Sequence, residues 1–306
     1  MTDALIVTNP AAGAGGKGLK EACRRLEARG FRVAVETTAS TGDGERLARA
    51  AAEGGADVVI AHGGDGTVMD VAAGLVGTGL PLGLLPGGTG NVLAGNLGIG
   101  RSFVAAAETI ASGATRTIDL GRLTTAAGAR FFAVNCAAGF AAELMAGTEQ
   151  HHKRRFGVAA YVARALVMAA NLERAATRVE VDGVIHEGRA VTLLVANCGH
   201  IVPKLLPLAE DIVPDDGLLD VAVLDADSYA TALRLVWRML QRRPDADAGI
   251  TFYRGRFVRV DSDPVLPVEA DGEPMGTTPM TVELFPRALT VLAPLPRRFA
   301  RRAHER

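Results

Sequence analysis

The first hundred residues alternate short apolar runs with helical patterns, and a glycine-rich loop follows three of those runs. Ala4 to Thr8, Phe31 to Glu36, Asp57 to Ala61 and Pro81 to Leu85 are continuous and of strand length. Between them, Lys17 to Arg29, Gly42 to Glu53 and Thr67 to Val76 carry helical periodicity, the first stopped by Gly30. Strands apolar along their whole length and joined by helices predict a parallel sheet with helices on both faces. After about Gly121 the order changes. Phe131 to Ala137, Arg178 to Val181, Val191 to Cys198, Leu218 to Leu224, Phe257 to Asp261, Thr281 to Phe285 and Leu289 to Ala293 read as strands with few helices between them. Two helices interrupt them, at about Gly157 to Arg174 and Tyr229 to Arg242, the second carrying the only tryptophan, Trp237. The expected organisation is an α/β domain over residues 1–121, a mostly antiparallel β-rich domain over 122–295, and a basic tail at 296–306.

Composition removes several function classes. The chain has 36 glycines in 306 residues, roughly 12% against a usual 7% or so, with neither a collagen period nor a biased tract, so the excess needs a local cause. Lys and Arg number 33 and Asp and Glu 34, which gives no global basic field for nucleic acid. Cys23, Cys136 and Cys198 are far apart and lack metal-ligand spacing, which points to a reducing cytoplasm and against structural zinc. No apolar run approaches the 18 or so residues of a bilayer span, so any membrane contact is expected to be peripheral.

The glycine clusters supply the local cause. GAGGKG, Gly13 to Gly18, has the spacing of a dinucleotide fingerprint, with Glu36 where a ribose-binding acid would stand. Asn9, Pro10, Ala11 and Ala12 separate it from its strand, however, and Gly18 replaces the Ser or Thr of a P-loop after Lys17. HGGDGTVMD, His62 to Asp70, lies between a strand and a helix. Gly63, Gly64 and Gly66 would let backbone approach a ligand, with amides aimed at phosphate oxygens. Asp65 among them would repel phosphates unless a cation intervenes, which makes it a magnesium partner; alternatively Asp65 or Thr67 caps the helix. PGGTGN, Pro86 to Asn91, is the third cluster. Three such loops at one sheet edge point to a nucleotide, with structural turns as the other reading.

Taken together, VTNPAAG at the start, GGDGT, LLPGGTGN, KRRFGVAAY from Lys153, VPDDGLLDV from Val213 and VEADGE from Val268 resemble the diacylglycerol kinase catalytic-domain family, which includes bacterial lipid kinases and sphingosine kinases. GGDGT alone also occurs in NAD kinases and phosphofructokinases. The resemblance implies transfer of the γ-phosphoryl group of ATP to a lipid hydroxyl, of diacylglycerol, a sphingoid base or a related lipid, with Mg2+. Carried over by position, Asn9, Thr38, Gly63, Gly64, Asp65, Gly66, Thr67, Gly88, Thr89, Asn91 and Glu273 would line the nucleotide, Asp65 lying near the magnesium. Asp271 matches the general base, and the Asp216 carboxylate with the Val213 and Leu218 carbonyls matches a structural magnesium site. From the residues alone, Asp271 and Gly272 read as a hairpin turn and Pro214 to Gly217 as another turn. Three positions depart from the family pattern: Met69 and Asp70 stand where Asn and Glu are frequent, and Val92 where many bacterial diacylglycerol kinases carry Asp.

On the lipid side, His151 to Arg155, Arg238 with Arg242 and Arg243, and Arg297, Arg298, Arg301 and Arg302 could meet anionic headgroups, or be solvated helix ends and tail. The partner expected is a lipid presented at a membrane surface, with no nucleic acid and a homodimer left open. An NAD kinase-like enzyme and a nonenzymatic nucleotide or lipid sensor are the alternatives.

Overall fold

The computed structural model describes residues 1–10, 15–40, 42–146, 174–202, 206–208, 211–226, 231 and 249–295. Strands β1 (Thr2–Thr8), β2 (Phe31–Thr37), β3 (Val58–Gly63) and β4 (Leu82–Pro86) run parallel in the order β2-β1-β3-β4. Every residue of β3 and β4 is buried, which is why both read as unbroken apolar runs, whereas β2 is the exposed edge. The connecting helices are α1 (Gly15–Ala28), α2 (Asp43–Glu53) and α3 (Asp65–Leu75), followed by a short α4 (Val92–Asn96) and by α5 (Phe103–Ala111). Helix α1 packs on α5 and α2 on α3. The chain leaves β1 in one direction to reach β2 and the other to reach β3 and β4, so right-handed crossovers place these pairs on opposite faces. Helices α2 and α3 approach closely at Gly74, where a Cβ would run into the Glu45 carbonyl oxygen, and at Gly44, where it would lie 2.8 Å from the Asp70 Cβ.

The parallel sheet does not stop at β4. Strand β18 (Met280–Leu292) pairs parallel to it at Val291 and Leu82 and extends the sheet to ten strands. On the far side of β18 lie β15 (Phe257–Asp263), β8 (Ala175–Val181) and β9 (Val184–Ala190), while β5 (Thr115–Thr125) and its hairpin partner β6 (Gly128–Phe132) pair along β18 itself. The two strands expected at 281–285 and 289–293 are thus one, bulged between Phe285 and Leu289, with Arg287 at φ 53°. The single strand expected over 131–137 is instead two, β6 and β7 (Asn135–Gly139), because Ala133 and Val134 leave the ladder.

A second sheet of six strands is antiparallel throughout: β14 (Ile250–Gly255), β13 (Leu219–Leu224), β10 (Thr192–Ala196), β7, β16 (Pro267–Ala270) and β17 (Glu273–Thr277). Helix α6 (Phe140–Ala146) follows β7, and β11 (His200–Val202) pairs with β12 (Leu206–Pro207). Leu123, Phe132, Val179, Leu193 and Val258 fill the space between the two sheets. Ala137, Leu194, Ala222 and Ile250 form a further core on the other face of the six-stranded sheet, so β7 and β10 are buried on both sides. The core of the parallel half takes in Val291, Leu292 and Ala293, so the chain returns to its starting layer before it ends. The architecture is an α/β half with a parallel sheet and a mostly antiparallel β half. Among the described residues, no helix is long and apolar enough to cross a membrane. Of the expected second-half helices, residues 157–173 and 229–242 lie outside the described residues except Thr231, as do Trp237, the three basic groups and the tail.

Candidate active site

The carboxyl ends of β1 to β4 form one rim, and backbone hydrogen bonds between neighbouring strands set its line. Thr38 N–H donates to the Thr8 carbonyl at 2.9 Å, Asn9 N–H to the His62 carbonyl at 3.1 Å, and Gly87 N–H to the Gly63 carbonyl at 2.8 Å. Asn9, Thr38, the Gly63–Thr67 segment and the Gly88–Asn91 segment are thereby brought together where the strand order reverses, the usual ligand crevice of such sheets. The glycines here are required by contact. A Cβ on Gly88 would lie 2.6 Å from the Gly64 Cα, and one on Gly63 would lie 2.5 Å from the Thr67 hydroxyl oxygen. Gly64 caps α3 with no side-chain bond, which leaves the first amides of that helix to other acceptors. Asn91, at φ 51°, clasps its own loop by accepting from Gly88 N–H at 3.0 Å and donating to the Gly88 carbonyl at 2.6 Å. Thr89 is exposed at the loop's tip. Of the first cluster, Gly15 to Gly18 belong to the first turn of α1, and Gly18 is bare because the Phe103 ring lies against it.

Asp65 does not cap α3. Its carboxylate crosses to the next loop and accepts the Val92 N–H at 2.6 Å, at the start of α4. Burial raises its pKa, and the amides of Val92, Asn91 and Leu93 offset part of that rise. Val92 therefore serves the site through its backbone amide. Met69, one turn further along α3, is buried, and Asp70 pairs with Arg130 at 3.2 Å.

Asp271 is both the turn residue and the carboxylate that the resemblance singles out. Asp271 and Gly272 have φ of 47° and 87° and link β16 to β17 as a two-residue hairpin. The carboxylate accepts Ala133 N–H on Oδ2 at 2.8 Å, and Val134 and Asn135 N–H on Oδ1 at 3.1 and 3.0 Å. Those are the peptides that interrupt the expected 131–137 strand. Gly272 N–H and the Asn135 amide fix the buried Glu269 carboxylate beneath the turn. Burial pushes the Asp271 pKa up to about 6; the three N–H donors lower it, and the nearby Asp65 charge raises it. A carboxylate has about four lone-pair sites. Three are taken, which leaves Oδ2 able to accept one more proton donor. Glu273, the first residue of β17, reaches across to α3: its Oε1 lies 3.4 Å from where a Cβ on Gly66 would stand.

The Pro214–Gly217 turn lies at a separate place. Asp119, buried on β5, accepts Gly217 N–H at 2.8 Å and Arg287 N–H at 2.7 Å, and its own N–H donates to the Pro214 carbonyl at 2.6 Å. Asp216 accepts Leu218 N–H at 3.1 Å on one oxygen and pairs with Arg254 at 2.7 Å on the other. A cation here would have to share the carboxylate with that guanidinium. Val213 is exposed at the edge of the turn.

Three residues escaped the sequence reading. Asn197 is fully buried and donates to the carbonyls of both Asp119 and Ala133 at 2.9 Å, tying the 214–217 turn to the peptides that hold Asp271. Asp119 itself is an isolated acid in an apolar strand, which was its only signal. His62, 4% exposed, bonds Thr8 Oγ1 through Nδ1 at 2.7 Å, and its Nε2 has no partner among the described residues. Burial lowers its pKa.

Among the described residues, no three His, Cys, Asp or Glu side chains converge on one point. A magnesium ion at Asp65 does not need such a cluster, since Mg2+ commonly takes one or two carboxylates and completes its shell with substrate phosphates and water. The desolvated Asp65 carboxylate, close enough to Asp271 to raise its pKa, fits a cation in chemistry as well as position.

Comparison with known proteins gives consistent matches. Residues 3–123 match the diacylglycerol kinase catalytic domain, and residues 135–293 match the YegS C-terminal NAD kinase beta sandwich-like domain. A Mycobacterium tuberculosis diacylglycerol kinase is 31% identical over 294 residues, covering 94% of each chain. One from Bacillus subtilis is 29% identical over 284 residues, covering 91% of this chain and 92% of that one. An uncharacterized Synechocystis protein is 31% identical over 245 residues, and this chain spans 56% of its length. Two crystal structures from Bacillus anthracis, strain Sterne, superpose with TM-scores of 0.82 and 0.73 at 22% and 20% identity, each covering 95% of this chain; at that identity the likeness is one of fold.

Proposed function

The chain belongs to the diacylglycerol kinase catalytic-domain family, and from that premise we propose that it transfers the γ-phosphoryl group of ATP to the hydroxyl of a lipid. The observation that carries this reading is the Asp271 carboxylate, held by three backbone N–H groups with one lone-pair site left over. With a pKa near 6 it is ionised at neutral pH and still basic enough to accept a hydroxyl proton. Across from it, the bare backbones of Gly64 and Gly88 and the uncapped start of α3 supply N–H donors and helix-dipole charge for the nucleotide's phosphates. Magnesium bound with the nucleotide would neutralise charge on the transferred group, and Asp65 is the carboxylate that would hold it. Glu273, beside Gly66, would line the nucleotide. Asp216 with the Val213 and Leu218 carbonyls is the candidate second cation site, in competition with Arg254.

The test is transfer of radiolabelled γ-phosphate from MgATP to a panel of diacylglycerol, sphingoid bases, phosphatidylglycerol and, as the non-lipid control, NAD. Labelling of a lipid that is lost in Asp271→Asn, with the variant still folded by circular dichroism, is the expected result. Labelling of NAD alone, or full activity in that variant, would overturn the reading.

A further inference from the structure

The turn at 213–218 leads directly into a strand pair whose register brings an arginine to it. Leu219 opposes Gly255 and Asp220 opposes Arg254 in the β13–β14 ladder, so Arg254 stands beside the chain where it leaves the turn. Its Nε pairs with the Asp220 carboxylate at 2.9 Å, and a terminal nitrogen pairs with Asp216 at 2.7 Å. The planar guanidinium thus bridges two carboxylates, and its charge also reaches Asp211. Arg256, just beyond β14, extends the same clasp, its Nε donating to the Gly217 carbonyl at 3.2 Å.

A magnesium ion does not fit beside that clasp. Access is not the obstacle, since a cleft of about 420 Å3 opens at the turn. Three acids line the cleft, Asp119, Asp215 and Asp216, and each is committed to partners of the chain itself. Asp119 gives its two oxygens to the N–H groups of Gly217 and Arg287, and Asp215 pairs with Arg116 at 3.1 Å. Asp216 divides its oxygens between the Leu218 N–H and Arg254. Among the described residues these acids do not converge on one point. Mg2+ binds oxygen at about 2.1 Å and demands near-ideal octahedral geometry. An ion on the Asp216 oxygen that Arg254 holds would therefore stand within about 5 Å of the guanidinium nitrogen, cation against cation.

We propose that Arg254 takes the part of a divalent cation at the 213–218 turn, so that this segment closes on a guanidinium carried by the chain and needs no bound magnesium. The consequence reaches the active site. The Pro214 carbonyl and the Gly217 N–H tie the turn to Asp119, and Asn197 ties Asp119 to Ala133, whose N–H holds Asp271. Support for that carboxylate is then independent of free magnesium, and any metal requirement of catalysis falls to the nucleotide end. The inference rests on the ion pairs of the turn and not on phosphoryl transfer. Its test uses neither nucleotide nor lipid, so the two readings fail separately.

The experiment is thermal unfolding of the full chain in EDTA and in millimolar MgCl2, with NaCl balancing the ionic strength. Any magnesium response of the parent should be matched by Asp216→Asn, because it arises elsewhere. Arg254→Gln leaves Asp216 and Asp220 without their guanidinium and should lower Tm in EDTA by about 5 °C. Magnesium should recover most of that loss. The recovery should vanish when Arg254→Gln is combined with Asp216→Asn, which assigns the ion to Asp216. Arg254→Lys, which keeps the charge without the fork, should respond to magnesium no more than the parent does. A magnesium response in the parent that Asp216→Asn abolishes would overturn the proposal. So would an Arg254→Gln protein that keeps the parent's Tm in EDTA, or one that magnesium does not restore, since the guanidinium would then be an ordinary ion pair. Should Arg254→Gln fail to fold, Mn2+ binding measured by electron paramagnetic resonance decides: the parent and Asp216→Asn should bind equally, and one ion fewer in Asp216→Asn would refute the guanidinium's role.

Discussion

Asp271 is the place where two opposing forces can be separated by experiment. Three N–H donors favour its charged form, while burial and the Asp65 charge favour the neutral form, and the neutral form gains: the pKa rises from 3.8 to about 6. That rise corresponds to about 3 kcal/mol at ~1.4 kcal/mol per pH unit. In the folded state the group keeps its proton where the unfolded chain has lost it. Its contribution to stability is therefore fully present below about pH 4 and disappears as pH rises to about 6. Asp271→Asn has no such titration. The new NH2 group faces at least one backbone donor, at a cost of about 1 to 3 kcal/mol, but that cost is the same at every pH. The difference in unfolding free energy, Asp271→Asn minus parent, should then climb by about 2 kcal/mol from pH 4 to pH 7, measured by urea denaturation at each pH. Activity should follow the same group, with kcat/KM of the parent falling about tenfold between its plateau and pH 5. A flat difference would remove the perturbed carboxylate. A difference that moves in the other direction would mean that the three N–H bonds outweigh burial and that Asp271 is an ordinary, strongly ionised turn residue.

The same residue shows where sequence reasoning reaches and where it ends. The hairpin was legible because Asp-Gly between alternating residues is a local rule, and the structure places both residues at positive φ. That this turn also holds a carboxylate against Ala133 was not legible, because the partner amide is 138 residues away. Nor did the run FFAVNCA betray the break that exposes those amides, since the residues on both sides of it are mostly apolar. The parallel strands β3 and β4 were read correctly for a related reason: a strand buried on both faces carries its environment in its own composition. Strand β18 defeated the same reading. Pro286 and Arg287 look like a turn, yet the flanking segments stay in one sheet, because Asp119 takes the Arg287 N–H and the strand continues past the bulge to β4. Helix α5 is different, for Ser102 caps it through the Ala105 N–H at 3.1 Å and Gly113 ends it. Those are local signals that composition dominated by alanine obscured. Asp65 joins both lessons: its loop was evident, but its role as a bridge to α4 needed the neighbouring strand.

Three further outcomes follow from contacts that leave little freedom. Asn197→Ala should destabilise the fold by about 2 kcal/mol, because the buried carbonyl of Asp119 loses the Asn197 amide and that of Ala133 keeps only the weak Cys198 thiol donor; an unchanged urea midpoint would contradict the bridge. Gly74→Ala should cost about 1 to 3 kcal/mol by forcing α3 off the Glu45 carbonyl of α2, seen as a lower Tm. Gly90→Ala acts on chemistry instead. Gly90 is not at positive φ, so alanine suits its backbone, but the added Cβ would stand 2.6 Å from the Asp65 Oδ2. The carboxylate must then turn away from the Val92 N–H and from the phosphate end it shares with Gly64 and Gly88. The KM for MgATP should rise about tenfold, as for one lost charge-assisted contact, and added magnesium should recover part of it, while Tm stays near that of the parent. A normal KM in a folded Gly90→Ala protein would show that Asp65 can move without consequence, and would take from it the role of holding the metal.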